Sequence, residues 1–260
     1  MTEGPLIGFT LLAQMAVGVS LVLSALNFSA SAAVILLELC IVMGIALALS
    51  FFHLGTWANA WRAIRNLRSS WLSREILFSL LFMGALIFST GLLGLGESPM
   101  TVLKAVGWGT AILGLALVYS MTRVYRLRTV PTWNTWSTTA LFFTTTLILG
   151  TLGYATLILS NANSGQLQAQ IQQVSAIAGM LLTTQILIVR LLNRTASSGF
   201  ILPRLRLLLL SLSLVAVALV AWDGNRLSTG AVIAFILAFA AEVIGRYTFY
   251  QSNRGWPYGI

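Results

Sequence analysis

AAVILLELCIVMGIALALSFFH, residues 32–53, carries a single formal charge, at Glu38, and ends on the chain's single histidine, His53. The rest is almost continuously apolar. A bilayer core about 30 Å thick is spanned by about 20 apolar residues in a helix, and this run meets that length with no polar face of the kind a surface helix in water would need. The run predicts a transmembrane helix, and comparable stretches recur along the sequence.

Along the whole sequence, apolar runs bounded by polar residues, Pro, Gly or Arg predict spans near 6–28, 32–53, 75–95, 102–124, 136–160, 173–193, 205–222 and 228–250. The expectation is an all-α, polytopic membrane protein: one integral domain over residues 1–260 with eight helices. Composition agrees, at 58% hydrophobic and 8% charged residues over 260 positions, with a mean hydropathy of +0.90. The first run lacks a basic leader and a cleavage site followed by a polar mature domain, so it reads as a retained helix. The lone Cys40 excludes a disulfide framework or a cysteine-held iron–sulfur cluster within the chain, and one histidine excludes a bis-histidine haem.

The net charge of +9 does not point to nucleic acid, because the basic residues lie at helix ends and in short connections. Lipid headgroups or an acidic protein partner fit better. Thirteen of the 15 Lys and Arg residues fall on one face of an eight-span topology, among them Arg62, Arg65, Arg68, Arg74, Arg123, Arg126 and Arg128; Lys104 and Arg226 fall on the other. The positive-inside rule would put the basic face and both termini in the cytoplasm. In its longest connection, Trp57, Trp61 and Ile64 recur at helical spacing, as in an interfacial helix; an aromatic belt with snorkelling arginines explains the pattern as well as a docking surface does.

His53 closes the second span and Glu75 opens the third, so an up-down hairpin returns both to one membrane face. An imidazole that titrates near pH 6.5 beside a carboxyl in partly apolar surroundings is suited to accept the protons released when a hydroquinone is oxidised. The ordinary alternative is a hydrogen-bonded histidine and a Glu75 that caps a helix dipole while pairing with Arg74. Glu38 lies 15 residues before His53, about 22 Å along a helix, and could stand on a proton path or reach headgroups. Glu242 precedes Arg246 by one turn, which suggests an internal pair without catalytic role. The threonines of the fifth span, Thr138, Thr139, Thr144, Thr145, Thr146, Thr151 and Thr156, could line a polar path but more often bond back to their own helix. No nucleotide-binding loop or hydrolase constellation occurs in a suitable context.

His53-Leu54-Gly55, then Asn66-Leu67 and Leu72-Ser73-Arg74-Glu75-Ile76, then Tyr125 through Pro131-Thr132-Trp133-Asn134, then Gly245-Arg246 with Phe249-Tyr250, together resemble the membrane-anchor subunit of the dimethyl sulfoxide reductase complex. The likeness covers nearly the whole sequence through short motifs in a shared order. It implies a multi-pass anchor in the bacterial cytoplasmic membrane that carries no haem and oxidises menaquinol. Electrons would pass to a four-cluster iron–sulfur subunit and from it to a molybdopterin catalytic subunit. By position, His53 and Glu75 correspond to the family's quinol-site histidine and acidic residue. In the anchor reading of this sequence Arg74 and Arg62 orient groups nearby, and Arg65, Arg68, Arg126 and Arg128 lie on the docking face. Trp57 stands where the family usually has proline, so the pocket rim differs. The resemblance also implies a periplasmic basic face, opposite to the charge rule, because the family's catalytic pair is exported.

A small-molecule transporter is the rival reading. Transporters often break their helices with midplane Gly or Pro, whereas Pro5, Pro99, Pro131, Pro203 and Pro257 all fall outside the predicted span interiors. A purely structural anchor is a third reading, separated from the first by whether quinone copurifies.

Overall fold

The structure, a computed structural model, describes residues 3–26, 32–53, 66–96, 99–127, 129–161, 166–195, 201–222 and 227–251. At 52–53, 160–161, 166–169, 193–195 and 227–228 the description covers the backbone alone. Eight helices occupy these residues: α1 Gly4–Ala25, α2 Ala32–His53, α3 Trp71–Gly94, α4 Met100–Tyr125, α5 Trp136–Asn161, α6 Gln166–Thr195, α7 Ile201–Trp222 and α8 Leu227–Gln251. Among the described residues there is no strand. All eight are long and apolar enough to cross a membrane, with spanning portions of 20 to 26 residues, about 30–39 Å at about 1.5 Å per residue. The expected spans are borne out in number and type, and the molecule is a polytopic helical membrane protein.

Helix ends differ from the hydropathy expectation where polar residues favour helix. Helix α3 begins at Trp71 rather than 75, because the Ser70 side chain caps it by accepting from the Ser73 backbone N–H at 3.2 Å. Helix α6 begins at Gln166 rather than 173, inside a segment that hydropathy alone assigns to a loop; Gln, Leu and Ala there are good helix formers. Pro5 and Pro203 sit in the first turns of α1 and α7, where a missing N–H costs nothing.

The chain divides into two compact units, residues 1–142 and 143–260, with the boundary inside α5. In the first unit α1 packs on α2, α2 on α3, α3 on α4 and α4 on α1, closing a four-helix up-and-down bundle. Its centre is dry: Leu11, Val17, Leu39, Met43, Phe82, Leu86, Leu117 and Met121 are fully buried. Hydroxyls enter it by bonding back to their own helix, as Ser24 does to the Ser20 carbonyl at 2.7 Å and Ser89 to that of Ala85 at 2.7 Å. The Gln14 side chain donates to the Phe142 carbonyl at 2.8 Å and ties α1 to the start of α5. In the second unit α7 packs against both α6 and α8.

Two threonines of α5 bond back to their own helix. Thr151 donates to Leu147 O at 2.8 Å and Thr156 to Gly153 O at 2.7 Å. Thr145 instead reaches across to Glu242 of α8.

Candidate functional site

In α3, positions 75, 79, 82, 86 and 89 form the buried stripe, one face at spacings of three and four. Glu75 heads it and is 5% exposed. Among the described residues no side chain donates to its carboxyl and no ion pair reaches it. Arg74 points elsewhere: Nε donates to Leu67 O at 2.9 Å, Nη2 to Arg68 O at 2.9 Å, and the guanidinium lies 4.1 Å from the Trp71 ring centroid. Arg74 therefore pins the turn before α3, and the pairing with Glu75 that would make that carboxyl merely structural is not the geometry found.

The register between α2 and α3 follows from two contacts. Cys40 Sγ lies 3.6 Å from Thr90 Oγ1, and a Cβ on Gly44 would lie 4.0 Å from Met83 Cε. In an antiparallel pair each step forward on α2 matches a step back on α3. Carried from either contact, this brings the His53 backbone level with residues 74–77, the stretch that holds Glu75. The side chain of His53 lies outside the described residues, as do Arg62, Arg65 and Arg128. The predicted interfacial helix of Trp57, Trp61 and Ile64 lies outside them too.

Glu38, two residues before Cys40, falls at the other end of the bundle from Glu75. On α3 the fully buried Phe82 and Leu86 stand between Glu75 and Ser89. The fold thus groups His53 and Glu75 by level and separates Glu38 from both. Arg68 is exposed on the turn before α3, and Arg126 caps the end of α4. The Tyr125 and Trp133 of the sequence motif form a structural knot: Tyr125 meets Trp133 edge-on at 6.1 Å and Phe142 at 5.6 Å.

A second polar centre, in the second unit, brings four helices together. The Glu242 carboxylate of α8, 1% exposed, accepts from Thr145 of α5 at 2.7 Å and from the Gln185 amide of α6. It also forms an ion pair with Arg206 of α7 at 3.2 Å. Sequence spacing suggested Arg246 as its partner; the structure extends the cluster to three other helices. An intramembrane Gln or Glu was the available signal. A carboxylate holding three donors is neutralised and satisfied, which suits a staple between helices.

Among the described residues no cluster of His, Cys, Asp and Glu could hold a metal ion. What the fold offers is a polytopic helical bundle with one buried carboxyl, lacking a counter-charge among the described residues, near a membrane face.

Residues 1–251 match the profile of a family described as the DMSO reductase anchor subunit (DmsC). The protein belongs to that family, as its motifs suggested. Among curated relatives, it is 32% identical over 174 residues to the C subunit of anaerobic dimethyl sulfoxide reductase from Haemophilus influenzae, with 64% of this sequence and 62% of the relative aligned. It is 32% identical over 160 residues to the YnfH subunit of anaerobic dimethyl sulfoxide reductase from Escherichia coli, with 57% and 55% aligned. The match thus spans less than two thirds of the length of those two relatives. Against the C subunit of the Escherichia coli anaerobic dimethyl sulfoxide reductase it is 30% identical, with 95% and 94% aligned. No solved structure matches it.

Proposed function

We propose that the protein is the membrane anchor and quinol-oxidising subunit of a molybdopterin oxidoreductase complex in the bacterial cytoplasmic membrane. The observation that carries this reading is the Glu75 carboxyl: buried at a helix end, without a counter-charge among the described residues, and level with the His53 backbone. A buried charge is costly unless it is paired, so a lone carboxyl in such a place is more readily kept as a proton-exchanging group than as a structural one.

A quinol fits this donor set, since its oxidation releases two protons and two electrons and needs nearby bases but no metal held by the anchor. In this account Glu75 and His53 take the two hydroxyl protons. Arg74 holds the turn that precedes α3 and so fixes where Glu75 projects, and Arg62 orients groups from the same connection. The electrons leave to the nearest cluster of a four-cluster iron–sulfur subunit, seated on Arg65, Arg68, Arg126 and Arg128, and pass to a molybdopterin subunit that carries out the terminal reaction. Menaquinol is the quinol the resemblance implies. Glu38, remote from Glu75 and separated along α3 by Phe82 and Leu86, takes no direct part in this transfer.

Purification from the native membrane in mild detergent tests the assembly. The expected result is an iron–sulfur protein and a molybdopterin protein in the same peak, with molybdenum or tungsten, iron and quinone. A protein that emerges alone, free of metal and quinone, would sink the proposal and send the question to liposome flux measurements for transport.

A further inference from the structure

At the level where α3 begins and α4 ends, two guanidiniums converge on one ring. Arg74 Cζ lies 4.1 Å and Arg123 Cζ 4.8 Å from the Trp71 centroid, and Tyr119 meets the same ring edge-on at 5.8 Å. Among the described residues neither arginine meets a carboxylate. The sequence has 6 acidic residues against 15 basic ones, so most of its cations must find counter-charge elsewhere.

Below this pair the surface is apolar. Arg74, Leu81 and Phe88 repeat every seven residues on α3, with Leu81 and Phe88 43% and 60% exposed. Arg123, Tyr119, Ile112 and Trp108 continue one another on α4, the last three 44%, 62% and 44% exposed. These side chains stand on spans packed against each other and far too apolar for water to be their solvent, so hydrocarbon covers them. Guanidiniums that head two stripes facing hydrocarbon, beside interfacial Trp and Tyr, match the amphipathic outline of a lipid.

We propose that Arg74 and Arg123 bind the phosphate of one anionic phospholipid, whose acyl tails lie along the stripes of α3 and α4. Charge complementarity selects the headgroup: among the described residues the two cations meet no carboxylate, and they stand at the ends of two spans, the level at which a spanning helix meets lipid phosphates. A carboxylate from a docked protein could satisfy the cations but would leave the stripes below unexplained. The inference shares Arg74 with the quinol reading but is tested apart from it, because lipid retention is measured without turnover and the substitutions fall on Arg123 and Trp71.

Native mass spectrometry of the full-length protein, with whatever subunits copurify, tests the site by titration with phosphatidylglycerol and phosphatidylcholine of matched acyl tails. The wild type is expected to retain one phosphatidylglycerol in preference to phosphatidylcholine. Arg123→Gln should weaken that preference about fivefold, the effect of one basic residue near an anionic surface. Arg123→Lys should keep most of the preference, and Trp71→Leu, which removes the platform, should reduce it. Arg190→Gln, an exposed cation of α6, should leave it unchanged. The proposal is overturned by an unaltered preference in Arg123→Gln, or by an equal loss in Arg190→Gln. Competition by inorganic phosphate at the lipid's own concentration would also overturn it, as would loss of the lipid when the subunits are assembled.

Discussion

Cys40 Sγ of α2 lies 3.6 Å from Thr90 Oγ1 of α3, and this contact sets the antiparallel register that brings the His53 backbone level with Glu75. The lone cysteine makes that register testable. Thr90→Cys is expected to form a disulfide with Cys40 under mild oxidation, since sulfur atoms at this spacing need little backbone movement. Maleimide titration of the denatured protein would then find no free thiol before reduction and both after it. Two reactive thiols after oxidation would mean that α2 and α3 are shifted from this register.

The existence of α2 and α3 was readable from hydropathy, because stretches of about twenty predominantly apolar residues admit few other folds. Their relative rotation was not. Nothing in residues 71–75 alone says that Glu75 turns into the bundle while Arg74 turns back to the Leu67 and Arg68 carbonyls; that follows from which stripe of α3 packs on α2 and α4. The same limit hid the Glu242 cluster. In-helix spacing reveals Arg246, whereas Thr145, Gln185 and Arg206 become neighbours only when four helices assemble.

Breaking that cluster should be costly. Glu242→Leu strips Arg206 of its counter-charge inside the membrane, and removing one partner of a buried pair costs about 3–5 kcal/mol. Thermal unfolding in detergent is expected to show a midpoint lower by several degrees. Adding Arg206→Met should recover much of the loss, since the uncompensated charge goes with it. Equal destabilisation in the single and double variants would contradict the pairing.

Gly245 makes room for the guanidinium of the same cluster. A Cβ there would fall 2.5 Å from Arg206 Cζ and 2.7 Å from Nε, so Gly245→Ala must displace the guanidinium that pairs with Glu242. Gly114→Val is a matching test in the first unit, where a Cβ would lie 2.8 Å from Val17 Cγ1 and 3.0 Å from Phe82 Cε2. Each should destabilise by about 1–3 kcal/mol, the usual cost of overpacking, and each should lower the unfolding midpoint in detergent.

The charge rule and the family resemblance assign opposite sides to the basic face. We follow the resemblance, in which assembled subunits cover that face outside the membrane. A carboxyl-terminal alkaline phosphatase fusion is then expected to be active and a green fluorescent protein fusion dark. The reverse pattern would put the basic face in the cytoplasm, as charge alone predicts.

We propose that Glu75 and His53 exchange protons with a quinol while the rest of the complex handles the terminal reaction. The most direct measurement compares turnover of the purified complex with menaquinol and with an artificial soluble donor, in wild type, His53→Ala and Glu75→Gln. Menaquinol-linked turnover is expected to fall at least about a hundredfold in both variants, the scale of a lost general base, while the artificial donor still drives the reaction at near wild-type rate. Variants that retain menaquinol-linked turnover would contradict it.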